Sequence, residues 1–187
     1  YDFDMERSVA KGLDNGMQIR AAYQTANMDK IANKDMTRVV FANLDGTFSN
    51  MDAALIDNYE TINNKGLSYF QDVDVQKFCI NANRAGYQIA LHAVGDAAFE
   101  QAVNAIAMAL EDYPRYDHRH VILHGSLPTE QALKTCAKYK IMISMKPSML
   151  SHTDGAEEFL ESMIGNERLS RINPLRTIED LGIKVCF

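Results

Sequence analysis

Apolar and polar positions along the 187-residue chain alternate between two periods. Short continuous apolar runs, "TRVVFANL" (37–44), "YQIALH" (87–92), "HVILH" (120–124) and "KIMISMKP" (140–147), fit buried strands. "MQIRAAYQ" (17–24) and "GIKVCF" (182–187) fit the same pattern less fully. Between them lie segments with a 3.6-residue period. In 72–86, Val75, Phe78, Cys79 and Ala82 share one helix face, and Gly86 follows the end. From Ala97 on, Phe99, Val103, Ile106 and Leu110 form one stripe, with Asp96 placed to cap the helix. Further helices are predicted over 128–139 (Pro128 in the first turn), over 156–172, and briefly after Pro174. Residues 3–15, with Phe3, Val9 and Leu13, give an opening helix stopped by Asn15-Gly16. Polar residues 25–36 form a loop or short helix. Residues 45–71 are a long connection with a helical turn in "MDAALIDNY", and that length marks a functional loop.

Strand and helix thus alternate about six times in an α/β chain. Continuous apolar strands imply a parallel sheet covered by helices, either doubly wound or a (β/α)8 barrel. No G-x-G-x-x-G follows a strand, so the dinucleotide fold has no support. In a barrel, residues at the C-terminal ends of the strands share one site. His92, His124 and Lys146 occupy such ends, and Asp45 opens the loop after an earlier strand.

The net charge of −6 lacks the basic footprint that nucleic acid requires. No run of about 18 apolar residues is present to span a membrane, and no signal-peptide pattern is visible. Cys79, Cys136 and Cys186 are scattered and read as reduced thiols, consistent with a cytoplasmic location. "GIKVCF" ends on a strand pattern and the start lies inside a helical one, so both ends look cut.

The motifs carry a family likeness. "IALHAVGDAAFEQAVNAI" resembles the fifth-strand motif of the metal-dependent amidohydrolase superfamily, in its amidohydrolase 3 branch. That branch includes N-substituted formamide deformylase and proteins labelled exoenzyme regulatory proteins. "YDHRHVILHGSLPTEQALKTCAKYKIMISMKPSML" is similar to its sixth- and seventh-strand region, "LDGTFSNMDAALIDNY" to its fourth-strand Asp-Gly-Ser loop, and "GNERLSRINPLRTIEDLGIKVCF" to its approach to strand eight. The resemblance implies an incomplete barrel over 1–187, approximately strands three to eight, and an enzyme that hydrolyses a non-peptide carbon–nitrogen bond with zinc or another divalent metal. His92 and His124 match the strand-five and strand-six metal ligands. The strand-one His-x-His and strand-eight Asp, usually the general base, fall outside the chain, so no catalytic residue is assigned and the segment alone is expected to be inactive.

Three departures matter. Phe41 stands where many members have a metal-bridging lysine, which questions a binuclear centre. Lys146 replaces a usual Gln, and either binds an anionic substrate or fills the space of a lost metal. Asp52 replaces a usual Thr and is either a substitute carboxylate or a loop residue. Each of the two histidines could also merely cap its strand, and a non-catalytic binding or regulatory relative is the alternative. Gly95 allows the chain a sharp turn. His118 and His120, at the opposite barrel face, and His152, in a loop, receive no role in the site. A small-molecule substrate is the expected partner. An open arc with raw edges at 17–24 and 182–187, exposing Val39, Ile89, Leu91, Ile122, Ile143 or their neighbours, is also expected to form a homo-oligomer.

Overall fold

The computed structural model of the protein describes residues 22–24, 38–147 and 156–187. Six parallel strands form one sheet: β1 (Ala22–Gln24), β2 (Val39–Asn43), β3 (Gln88–Ala93), β4 (Val121–His124), β5 (Met142–Ser144) and β6 (Val185–Cys186). Among the described residues five helices intervene: α1 (Asp72–Arg84), α2 (Asp96–Asp112), α3 (Glu130–Tyr139), α4 (Ala156–Leu169) and α5 (Leu175–Asp180). The predicted helix over 3–15, most of strand 17–24, the 25–36 connection and His152 lie outside the described residues.

Spatial order follows chain order, β1 to β6. A doubly wound sheet reverses its order at a switch point, whereas the wall of a barrel does not. This sheet is therefore an arc of a barrel.

Register fixes which side chains face the helices. Val40 pairs with Ile89, and Ala42, Leu91, Ile122, Ile143 and Val185 follow across the sheet. Val40, Ala42, Ile89, Leu91, Ile122 and Ile143 are all fully buried, packed with Val75 and Phe78 of α1 and with Phe99, Val103 and Ile106 of α2. The predicted helix stripes are thus the faces that close the core. The expectation that Ile89, Leu91, Ile122 and Ile143 line the open side is corrected: they face the helices. Their alternating neighbours Phe41, His92, Leu123 and Met142, with Val39, are only half-buried and form the inner wall.

Other boundaries shift for local reasons. Pro128 precedes α3 and does not sit in its first turn. Thr129 is the N-cap, its Oγ1 accepting from the Ala132 N–H at 3.3 Å. Helix α4 stops at Leu169 and is broken at Gly165 (φ 79°, ψ 159°). Residues 44–71 contain no helix: the one hydrogen-bonded turn lies at 48–51, before the expected helical turn in 51–59, and Tyr69 N–H donates to Leu44 O at 2.8 Å and Leu55 N–H to Lys65 O at 2.7 Å, closing the segment on itself. Its Phe48, Leu55 and Tyr59 pack with Val94, Leu127, Met163 and Ile164 in a second, smaller core that joins this loop to α4. Among the described residues no helix is long and apolar enough to cross a membrane.

Candidate functional site

His92 reaches the inner wall by strand parity. It pairs with Asn43 on one side and Leu123 on the other, and all three face away from the helices. His124 pairs with Ala93, so parity alone would turn it toward the helices. Its backbone instead adopts a left-handed φ of 70°, followed by Gly125 at φ 51°. That conformation costs a non-glycine residue of order 1 kcal/mol or more. The result is that the two imidazoles meet edge to face, ring centroids 4.6 Å apart at 67°.

Both rings carry a buried Nδ1 without a hydrogen-bond partner among the described residues. Burying such an atom unpaired costs about 1–3 kcal/mol, so each of these two neighbouring rings calls for a partner. His124 titrates below the ordinary imidazole range, first because it is buried, then because the charges of His92 and Lys146 oppose protonation; Asp45 works the other way. A neutral imidazole is the form that binds a metal. Lys146 is exposed, two residues beyond β5, and its charge reaches His124.

Asp45 is the fixed point beneath the pair. Its carboxylate is buried and accepts from Val94 N–H (Oδ1, 3.0 Å), Gly95 N–H (Oδ2, 2.8 Å) and Ala54 N–H (Oδ2, 3.0 Å). Oδ1 also lies 3.5 Å from His92 Nδ1. One side chain therefore ties the end of β2 to the β3–α2 turn and to the long loop. Among the described residues, no group of three or more His, Cys, Asp or Glu is gathered closely enough to hold an ion.

The remaining sequence candidates resolve as follows. Phe41 is half-buried on the inner wall, paired with Ala90, and offers no ligand atom. Asp52 is a loop residue, because its Oδ1 accepts from Thr47 N–H at 2.7 Å and its carboxylate packs on Gly46. Asp96 is not the N-cap of α2. Gly95 holds that position, and Asp96 Oδ1 accepts from Ile56 N–H at 2.8 Å and Ala97 N–H at 3.0 Å, anchoring the long loop. Gly95 has φ −76°, open to any residue; it is small because a Cβ would lie 1.9 Å from Ala54 O. His118 and His120 are buried at the N-terminal end of β4 and fully engaged with Tyr139 O, Ile89 N–H and Asn83.

Sequence reading missed the clasp beside the mouth. Arg168, almost fully buried, binds Ile164 O, Asp57 O (3.3 Å) and Glu60 Oε1 (3.0 Å), and Glu60 N–H donates to Met163 O at 2.8 Å. It borders a cavity of about 590 Å3 with Asp96, Glu60 and Arg171. The only cue was an arginine inside an amphipathic helix, which by itself reads as solvated.

Residues 9–187 match the model of the amidohydrolase family. The chain belongs to that family. It is similar to the putative amidohydrolase YtcJ of Bacillus subtilis (strain 168), 24% identical over 143 residues that cover 74% of this chain and 25% of that protein. Crystal structures of uncharacterized metal-dependent hydrolases share the fold. The Pyrococcus furiosus protein gives a TM-score of 0.76 at 19% identity, over 98% of this chain and 39% of that one. The Pyrococcus horikoshii protein gives 0.74 at 16%, over 95% and 37%. This amidohydrolase chain thus spans about a quarter of the curated relative and under two fifths of either archaeal structure. The six-strand arc is part of the amidohydrolase barrel.

Proposed function

We propose that the chain is a segment of a metal-dependent hydrolase acting on a non-peptide carbon–nitrogen bond, in an amide, formamide or cyclic amide. His92 and His124 are the residues that hold the metal, zinc being the first choice because imidazole suits it. The observation that carries this is the pair of buried, unpartnered ring nitrogens on adjacent strand ends, 4.6 Å between centroids. A divalent ion bound there supplies Lewis acidity toward the scissile carbonyl and lowers the pKa of water. The chain's own residues do the rest. Asp45 and the left-handed backbone at His124 set the two rings in place. Phe41, Ala90 and Leu123 give the wall beneath them an apolar surface. Lys146 supplies a cation for an anionic part of the substrate.

Two imidazoles are fewer than the three protein ligands of a catalytic zinc site, so this segment alone binds metal weakly and does not turn over. The second reading, a binding or regulatory relative without metal, is favoured by Phe41 in place of a bridging lysine and by the Lys146 charge acting on His124. An assay against formamides, anilides and cyclic amides separates them. In the full-length protein, zinc-dependent hydrolysis is expected, abolished by His92→Ala or His124→Ala with the fold retained. A full-length protein that carries no metal and hydrolyses none of these substrates supports the second reading. Hydrolysis that survives both substitutions overturns the ligand assignment.

A further inference from the structure

We propose that the barrel face opposite the histidine pair carries a second binding site, for a small phosphate monoester with an apolar body, held by Lys140 and Lys184. The site stands apart from the mouth and does not depend on a metal there.

A cavity of about 350 Å3 opens on that face between the end of α3 and the starts of β4, β5 and β6. Its size suits a small organic molecule. Cys136 and Ile183 are buried, Met142 is half-buried, and together they give it an apolar lining. The ring of Tyr116 stands 96% exposed at the same cavity, free to cover an apolar group. The polar walls are mostly occupied. Arg119 spends Nε and Nη2 on the Asp117 carboxylate, both at 2.9 Å. His118 has no free nitrogen, since Nδ1 accepts from His120 N–H and Nε2 donates to Tyr139 O, each at 2.9 Å. Lys140 and Lys184 remain. Both are exposed, and among the described residues no hydrogen bond or ion pair engages either ammonium. A pocket with two unopposed cations is not what a chain of net charge −6 supplies by average composition.

The backbone at Lys140 adds an independent observation. Three helices end in the same way, on a left-handed residue whose N–H donates to the carbonyl three positions back. These are Gly86 (φ 86°) to Asn83 O at 3.0 Å, Lys140 (φ 57°) to Ala137 O at 3.4 Å, and Gly182 (φ 69°) to Glu179 O at 2.8 Å. Glycine enters this conformation without steric cost, and a residue with a side chain does not. A lysine is thus kept where glycine is the more stable choice, and its side chain lines the cavity. Stability does not explain that residue, whereas ligand binding does.

Charge selects the ligand. A phosphate monoester carries about −1.5 to −2 at pH 7, which two ammonium groups balance, and lysine binds phosphate as a point charge. A monocarboxylate would leave one cation unmatched. The apolar lining takes the organic part.

Isothermal titration of the full-length protein with phenyl phosphate tests this, with inorganic phosphate and phenol as its two halves. Phenyl phosphate is expected to bind at least about tenfold more tightly than inorganic phosphate, because its ring leaves water. Phenol should give no measurable heat. Lys140→Gly and Lys184→Gln should each weaken phenyl phosphate by about tenfold, the loss of one charged hydrogen bond. Lys140→Gly should also melt no lower than the unmodified protein, so its loss of binding is not loss of fold; Lys184→Gln decides the matter if it does melt lower. Absence of phenyl phosphate binding, or equal affinity for inorganic phosphate, overturns the proposal. So does an affinity that neither substitution changes, which would locate binding elsewhere on the protein.

Discussion

At the scale of single residues, the histidines divide by solvation. His120 is fully buried between β4 and α1, accepting from Ile89 N–H at 3.0 Å and sharing a hydrogen bond with Asn83 Oδ1 at 3.1 Å. Burial, reinforced by the charges of His118 and Arg115, pushes its pKa down to about 2. His118 is lowered for the same leading reason. The unfolded chain binds a proton near pH 6.5 that the folded chain refuses, so stability is complete above that value and declines as pH falls toward 2. Each such histidine costs up to about 1.4 kcal/mol per pH unit in this window. Urea unfolding at pH 7.5 and pH 5.0 is expected to show the loss, about 2 kcal/mol for His120 alone. His120→Gln should flatten the profile relative to the unmodified chain. An unchanged slope in that variant would contradict a neutral, buried His120. Neither residue belongs to the mouth, as the sequence had suggested from their place before a strand.

Elements carry the next set of consequences. The helices were legible because their signal is local: Phe99, Val103, Ile106 and Leu110 recur on one face and all four are buried. The 45–71 loop was not legible in the same way. Its shape depends on Asp45 and Asp96, side chains that reach backbone groups 50 and 40 residues away, at Gly95 and Ile56, beyond any local sequence window. The long length did mark the loop, but the local helical pattern in "MDAALIDNY" lost to these tertiary bonds. Gly95 shows how tightly the loop lies on α2. An added Cβ would meet Ala54 O at 1.9 Å, displacing the carbonyl that accepts from Ala97 N–H. Gly95→Ala is therefore expected to cost more than about 3 kcal/mol, with the loop lifting from the helix. Gly86→Ala, where φ is +86° and nothing lies within 4 Å, should cost only about 1 kcal/mol. Equal midpoints for the two variants in chemical denaturation would show that the loop does not press on Gly95.

Across the whole molecule, alternation of apolar runs and helix stripes was enough to predict a parallel α/β arrangement, and the β1-to-β6 order makes it a barrel wall. The mouth was half legible. His92 follows from strand parity, whereas His124 reaches it only through a left-handed backbone that a histidine does not announce. Gly125 after it was the one cue, since two consecutive residues with positive φ rarely form without a glycine. Phe41 had already pointed away from a lysine-bridged pair of ions, and the structure places no ligand atom there. What unites these observations is the claim that the two strand-end histidines form one metal site. The direct measurement is a zinc titration of the chain followed at its histidine side chains by nuclear magnetic resonance. His92 and His124 are expected to shift together with a single midpoint, while His118 and His120 stay unmoved. Separate midpoints, no response at either ring, or a response confined to His118 and His120 would contradict it.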